Sequence, residues 1–149
     1  MVRVLFVDDD PLMREAMQRS LRWHRPDWEV ALAQDFNSAL AVLDERQMDA
    51  AVLDLQLPGK SGLSIAQQAR HRNPDLVCFM LTAHGTLESA MASINDAGVE
   101  GFFQKPCPAE KIVQSLESSL AARRLRREVA DIGDAALEGV HAGAFLVGA

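Results

Sequence analysis

The feature that most constrains this chain is an apolar run that ends in an acid and is followed at once by a turn. The run is Ala51-Val52-Leu53-Asp54-Leu55-Gln56-Leu57-Pro58-Gly59. A short apolar run bounded by a Pro-Gly turn is typical of a strand buried on both faces, as strands are in parallel sheets. Asp54 would then lie at the carboxyl end of a central strand, where open α/β sheets bind their ligands. An acid in that position either takes part in chemistry or requires a counter-charge.

Apolar runs alternate with helical patterns along the first 120 residues. This alternation predicts an α/β fold, with a doubly wound five-stranded parallel sheet and five helices. The predicted strands are Val2–Val7, Trp28–Leu32, the run that ends at Asp54, Leu76–Leu81 and Gly101–Gln104. The helical patterns begin near Pro11, Asp35, Ser61, Leu87 and Pro108, with Asp10 and Ser61 as candidate N-caps.

The domain so predicted spans residues 1–120, and residues 121–149 form a helical extension or linker that is partly irregular. The extension carries four arginines, which suit a solvated helix face, a dimer contact or an acidic partner. Leu125, Val129 and Ile132 lie on a stripe shifted from the inward stripe before Arg123, which argues against an uninterrupted heptad. A homodimer through this helix stays open as a hypothesis.

Composition excludes several classes of protein. A chain of 149 residues has room for one domain with a sizeable core. Its net charge of −6 argues against direct nucleic-acid binding. Cys78 and Cys107 have neither a disulfide pattern nor metal-ligand spacing. No apolar stretch approaches the roughly 20 residues of a membrane span, and the chain begins directly with a predicted strand, so we expect a cytoplasmic protein without a signal peptide.

Polar side chains follow four of the predicted strands where each strand ends. Strand one is followed by Asp8 and Asp9, strand three by Asp54, strand four by Thr82 and strand five by Lys105. Parallel strands bring their carboxyl ends to one edge of the sheet, so we expect these side chains to converge there.

Three carboxylates at one edge repel each other unless cations are present. A hard divalent ion suits such oxygen ligands, and Mg²⁺ needs only a few carboxylates plus waters. Lys105 adds a point-like positive charge, and Thr82 adds a hydroxyl donor. A carboxylate nucleophile with Mg²⁺, an ammonium and a hydroxyl donor is the set that phosphoryl transfer requires.

The ordered set of these pieces resembles the receiver domain of bacterial two-component response regulators, the flavodoxin-like receiver fold. It covers about residues 2–120 in the family's order and spacing. The matching pieces are Val7-Asp8-Asp9-Asp10-Pro11, Leu53-Asp54-Leu55-Gln56-Leu57-Pro58-Gly59, Leu81-Thr82-Ala83-His84 and Phe103-Gln104-Lys105-Pro106.

The resemblance implies that Asp54 accepts a phosphoryl group from a histidine kinase or a phosphotransfer protein. It also implies that Mg²⁺ is bound by Asp9, Asp54 and the backbone carbonyl of Gln56, with help from Asp8. Gln56 and His84 would occupy the variable flanking positions that tune the lifetime of the phosphoryl group.

The resemblance further implies a switch. Thr82 would hydrogen-bond the phosphoryl group and move toward it, and Lys105 would form an ion pair with that group. The Lys105-Pro106 bond would be cis. Phe102 would be the aromatic residue that turns inward when Thr82 shifts, although an ordinary core role for Phe102 stays open. Such a domain catalyses only its own phosphorylation and dephosphorylation, and its downstream effector is not specified by the sequence.

Two alternatives remain at this stage. The D-x-D pattern of Asp8 and Asp10 also occurs in haloacid-dehalogenase-like phosphatases, where Asp8 would be the nucleophile and Asp10 the acid/base. No capping segment and no downstream acidic pair is visible for that activity. A degenerate receiver that binds partners without being phosphorylated is the second alternative. Gly59-Lys60-Ser61 mimics a P-loop, but Asp54 stands where that loop needs glycine.

Overall fold

Five strands and four helices make up the part of the chain that the computed structural model describes, which is residues 1–83 and 98–140, with side chains as far as residue 133. In chain order they are β1 (Arg3–Val7), α1 (Pro11–His24), β2 (Glu29–Ala33), α2 (Phe36–Glu45), β3 (Ala50–Asp54), α3 (Gly62–Arg72), β4 (Val77–Thr82), β5 (Gly101–Gln104) and α4 (Ala109–Val140).

The strands form a single five-stranded parallel sheet, as predicted, and their order in it is β2-β1-β3-β4-β5. β3 is the central strand and pairs with β1 on one side and β4 on the other. All five of its residues are buried, which is why the sequence offers no polar alternation there. This arrangement places Asp54 in the middle of the carboxyl edge of the sheet.

Helices cover both faces of the sheet, so the fold is doubly wound. α1 and α4 pack on one face and α2 and α3 on the other. β1 contributes alternately to the two cores, with Leu5 and Val7 on the α2/α3 side and Val4 and Phe6 on the α1/α4 side. The fourth predicted helix, which carries Leu87, Ala90, Met91 and Ile94, lies outside the described residues.

Three of the predicted helix starts are confirmed, but only two of them have the side-chain cap that the sequence predicts. Asp10 caps α1 by accepting a hydrogen bond from the Leu12 amide at 3.0 Å. Asp35 forms a capping box with Ser38 at the start of α2. Ser61 occupies the N-cap position of α3, but its side chain makes no capping hydrogen bond. The first amide of that helix donates instead to the carbonyl of Leu55, at 3.1 Å.

Strand ends differ from the prediction by one residue. β2 begins at Glu29, because the Trp28 amide donates to the carbonyl of Arg25 and closes a turn. β4 runs to Thr82, so Thr82 and Asp54 are the last residues of their strands. The indole of Trp28 is nevertheless buried in the α1/α4 core.

The last helix, α4, is much longer than the domain requires. Its first half buries Ile112, Val113 and Leu116. It continues through Gly133 to Val140, a length of roughly 48 Å at about 1.5 Å per residue. None of the helices within residues 1–83 and 98–140 combines the length and apolar character that crossing a bilayer would demand.

Candidate functional site

Three carboxylates converge at the carboxyl edge of the sheet. One oxygen from each of Asp8, Asp9 and Asp54 lies within 4.8 Å of the others. Neighbouring strands β1 and β3 bring them together, since Asp8 and Asp9 follow Val7 and Asp54 ends β3. Asp8 is fully buried and Asp54 is only 4% exposed, whereas Asp9 faces solvent.

Lys105 supplies a positive charge to the two buried acids. Its Nζ atom lies 3.1 Å from Oδ2 of Asp8 and 3.0 Å from Oδ2 of Asp54. The Lys105 amide donates to the carbonyl of Thr82 at 2.7 Å, which ties the loop after β5 to the end of β4. The Lys105-Pro106 peptide bond is cis, as expected.

The other carboxylate oxygens accept hydrogen bonds from the backbone. Oδ1 of Asp54 accepts from the Gln56 amide at 3.0 Å, and Oδ1 of Asp8 accepts from the Asp10 amide at 2.9 Å. Each buried acid is therefore held at both oxygens, which fixes its orientation.

Burial and charge act in opposite directions on this cluster. Burial raises the pKa of the Asp54 carboxyl above its ordinary value, and the hydrogen bonds from Lys105 and the Gln56 amide offset only part of that rise. Burial by itself lowers the pKa of Lys105, but hydrogen bonds and charge from Asp54 and Asp8 outweigh it, so the pKa is raised overall. Lys105 is thus held protonated beside the Asp54 carboxyl, whose negative charge is disfavoured by burial.

The donor set fits a divalent cation. Three carboxylates and one ammonium leave two negative charges unbalanced within the cluster. Oxygen ligands together with an exposed acid, Asp9, suit a hard ion such as Mg²⁺, which keeps several waters when bound. Asp8, Asp9 and Asp54 are the residues that could hold it.

The remaining predicted residues lie in different situations. Thr82 is fully buried at the end of β4, next to the strand that carries Asp54. Phe102 is half-buried and packs against the α2/α3 core. Gln56 is exposed beside Asp54. His84 lies outside the described residues.

Two residues near the site were missed by sequence reasoning. Arg14 donates from Nη1 to the carbonyl of Asp8 at 2.8 Å and so supports the acidic loop. A cation in the first turn of a helix interacts unfavourably with the helix dipole. The position of Arg14 in the sequence could therefore have indicated that this residue has a tertiary role. Gly62 is the second: a Cβ there would lie 2.2 Å from the carbonyl oxygen of Asp54. No local pattern reveals this close approach of α3 to β3.

Comparison with known protein families gives one assignment for most of the chain. Residues 4–117 match the model of the response regulator receiver domain. Among curated proteins, the chain is 35% identical over 119 residues to the response regulator MprA of Mycolicibacterium vanbaalenii, which is 80% of this chain and 50% of that protein. It is equally identical, over the same shares, to the probable transcriptional regulatory protein TcrX of Mycobacterium tuberculosis. The chain thus spans about half the length of the curated relatives it matches.

Solved structures give the same fold. NtrX from Brucella abortus, crystallised with ADP, superposes with a TM-score of 0.80 at 30% identity, over 89% of this chain and 30% of NtrX. A CheY-like receiver domain protein from Methanospirillum hungatei superposes with a TM-score of 0.76, over 85% of this chain and 98% of that one. Its identity is 24%, so this second likeness concerns the fold alone.

Proposed function

Because the chain belongs to the response regulator receiver domain family, we propose that it is a signalling module switched by Mg²⁺-dependent phosphorylation of Asp54. One observation carries this proposal. Asp54 shares its edge of the sheet with Asp8 and Asp9 within 4.8 Å, and its Oδ2 accepts a hydrogen bond from Lys105. This is a nucleophilic oxygen surrounded by the charges that phosphoryl transfer needs.

The chemical step forms one bond and breaks another. A carboxylate oxygen of Asp54 attacks the phosphorus of a phosphodonor, and the bond from phosphorus to the donor's leaving group breaks. The product is an acyl phosphate on Asp54, and the leaving group departs with the electron pair and takes up a proton where its basicity requires one. A phosphohistidine of a histidine kinase or phosphotransfer protein is the proposed donor.

Bound Mg²⁺ would supply two positive charges that offset the carboxylates and the phosphoryl oxygens. Asp8, Asp9 and Asp54 would hold it, together with the backbone carbonyl of Gln56. Lys105 stays protonated and pairs with the acceptor before and after transfer. Asp8 and Asp54 are oriented by backbone amides, so the acceptor needs little reorganisation.

The output of phosphorylation is a change of packing. Thr82 ends β4 and Phe102 lies in β5, two strands that pair directly. We propose that a hydrogen bond from Thr82 to the phosphoryl group shifts this pair of strands, so that Phe102 packs further inward and an adjacent interaction surface changes. Gln56 and His84 would tune the lifetime of the phosphoryl group.

The exposed face of α1 supports a proposal for where the phosphodonor docks. The outer face of α1 carries Leu12, Ala16, Arg19 and Trp23, all exposed, and begins next to the acidic loop. An exposed row of this kind supports docking of the phosphodonor beside Asp54. A downstream effector domain or protein is proposed to receive the signal, and this chain is proposed not to bind nucleic acid directly. Two free cysteines support a reducing compartment, the cytoplasm.

Labelling with acetyl phosphate tests the proposal. The chain is incubated with radiolabelled acetyl phosphate, with Mg²⁺ or with EDTA, as wild type and as Asp54→Asn, Asp8→Asn and Asp10→Asn. We expect Mg²⁺-dependent label that Asp54→Asn abolishes. Asp10→Asn is the matched control, because Asp10 caps α1 and is exposed, so its label should stay near the wild-type level.

The other outcomes separate the alternatives. Label that survives Asp54→Asn and is lost in Asp8→Asn would favour the phosphatase chemistry. Complete absence of label in the folded wild-type chain, with Mg²⁺ present, would favour a degenerate receiver that binds partners unmodified.

A further inference from the structure

Every polar atom of Asp8 is engaged in a hydrogen bond, and Arg14 provides one of the partners. The Asp8 amide donates to the carbonyl of Ala33 at 3.1 Å. The two carboxylate oxygens accept from the Asp10 amide at 2.9 Å and from Nζ of Lys105 at 3.1 Å. The carbonyl oxygen lies beyond the end of β1 and accepts from Nη1 of Arg14 at 2.8 Å. Arg14 thus gives a partner to a backbone group that lies outside the strand.

Asp9 has no comparable support. It is the exposed member of the three carboxylates that lie within 4.8 Å of one another. Among residues 1–83 and 98–133, no group holds its carboxylate by a hydrogen bond or an ion pair. The position of this side chain therefore depends on the backbone before it. The peptide unit between Asp8 and Asp9 is planar, so a bond that fixes its carbonyl oxygen also fixes the direction of the Asp9 amide and Cα.

The guanidinium of Arg14 leaves the carboxylate oxygens free. In the part of the chain whose side chains are described, Arg14 forms no ion pair with an acid, and its hydrogen bond goes to a neutral carbonyl. Lys105, by contrast, pairs with one carboxylate oxygen of Asp8 and one of Asp54. A cation held by the three acids would compete with Lys105 for those oxygens but not with Arg14. This arrangement suits a residue that orients the metal-binding loop from outside.

We propose that Arg14 is a positioning residue of the Mg²⁺ site, and that it raises the affinity for the ion by holding the peptide unit between Asp8 and Asp9. This inference rests on the proposed function, in which Asp8, Asp9 and Asp54 hold Mg²⁺. Removal of groups that orient metal ligands from outside typically lowers metal affinity about 10- to 100-fold. Mg²⁺ requires near-octahedral geometry, so its binding is sensitive to the direction of the Asp9 carboxylate.

The sign of the effect separates orientation from charge. Arg14 is a cation near the site, and its positive charge repels Mg²⁺. If Arg14 acted through its charge alone, a neutral replacement would tighten Mg²⁺ binding. Loss of orientation has the opposite consequence and weakens binding. Weaker binding by a neutral variant therefore identifies orientation as the role of Arg14.

Titration of the full 149-residue, ¹⁵N-labelled chain with MgCl₂, followed by NMR without a phosphodonor, measures the affinity. Arg14→Met removes the donors and the charge but keeps an unbranched side chain that favours helix. We expect its dissociation constant for Mg²⁺ to rise about tenfold. Arg14→Gln, which is neutral and too short to reach as far as the guanidinium, should lose a similar affinity. The matched control is Arg22→Met, which removes an exposed arginine from the last turn of the same helix and should leave the affinity unchanged.

Amide hydrogen exchange in the metal-free chain provides a second readout. The Asp10 amide donates to Oδ1 of Asp8, so its exchange rate reports how firmly the loop is held. This amide should exchange several times faster in Arg14→Met and Arg14→Gln, and at the wild-type rate in Arg22→Met. A merely structural Arg14 would lower the urea midpoint when replaced but would leave the Mg²⁺ dissociation constant of the folded chain unchanged.

The contradicting outcomes distinguish this inference from the proposed function. If the wild type binds Mg²⁺ and the Arg14 variants bind it equally well or more tightly, the role of Arg14 is overturned and the chemistry of Asp54 is untouched. Weaker binding with unchanged exchange of the Asp10 amide would overturn the loop mechanism. A folded wild-type chain that binds no Mg²⁺ would overturn this inference together with the Mg²⁺ dependence of the proposed function. If one Arg14 variant fails to fold, the other decides.

Discussion

Replacing Gly62 by alanine should damage the acceptor site without touching any charged residue. Gly62 begins α3, and its amide donates to the carbonyl of Leu55 at 3.1 Å. A Cβ added there would lie 2.2 Å from the carbonyl oxygen of Asp54 and 2.7 Å from Cε of Met80. The methionine can move, but the carbonyl belongs to the central strand. An ordinary contact requires a displacement of about 1 Å or more between α3 and β3.

The magnitude follows from that displacement. Overpacking of this kind costs about 1–3 kcal/mol, and a backbone obstacle puts Gly62→Ala near the upper end. Alanine favours the helix over glycine by at most about 1 kcal/mol, which offsets part of this cost. We expect a net loss of about 2 kcal/mol in the free energy of unfolding, which lowers the urea midpoint by about 1 M. A shift of about 1 Å at the acceptor should also slow phosphorylation up to about 10²-fold.

Urea unfolding followed by circular dichroism, together with labelling by acetyl phosphate, measures both effects. The matched control is Gly133→Ala, because Gly133 lies in α4 and a Cβ there meets nothing within 4 Å. That variant should keep or slightly raise stability and should be labelled at the wild-type rate. The close-approach reasoning is refuted if Gly62→Ala matches the wild type in both assays.

Three further perturbations test separate parts of the account. Without Mg²⁺, Lys105→Met should lower the free energy of unfolding by about 3 kcal/mol, because two buried carboxylates lose their counter-charge. Millimolar Mg²⁺ should reduce this loss of stability, and urea unfolding with and without the ion measures the difference. Arg123→Ala should cost about 1 kcal/mol, since it removes both the packing of a largely buried side chain and its ion pair with Glu100. The more exposed Arg127→Ala should cost about 0.5 kcal/mol or less in the same urea assay. Burial raises the pKa of the Cys78 thiol to about 12. A raised pKa in the folded state means that stability is fully present below the unfolded thiol's pKa and falls as pH rises, by about 1.4 kcal/mol per unit above about pH 8.5. Melts at several pH values should show a slope that is smaller by this amount in Cys78→Ala than in the wild type.

The parts of the fold set by local pattern were predictable from the sequence. The apolar run before Asp54 indicated a central buried strand, and β3 is buried at every position. Parallel topology then brought Asp8, Asp54 and Lys105 to one edge, although they lie far apart in sequence. Asp35 acts as a cap because its partner, Ser38, is three residues away and needs no tertiary contact.

Features that depend on distant partners were not predictable. Ser61 matches a capping residue locally, but the first amide of α3 finds the carbonyl of Leu55 instead. Gly62 has no local signature, since its role is the approach of α3 to β3. The arginine-rich segment left several interpretations open, and the partners of Arg123 and Arg127 are acids at the starts of two strands. Such pairings follow from the packed structure and not from sequence spacing.

Chemical mapping of the phosphorylated residue tests the central claim most directly. Borohydride reduces an aspartyl phosphate to homoserine, and mass spectrometry of the peptides locates the changed residue. After incubation of the wild-type chain with acetyl phosphate, we predict homoserine at position 54 when Mg²⁺ is present and none when EDTA replaces it. Homoserine at position 8, or at no position in a folded and Mg²⁺-supplied chain, would contradict the account.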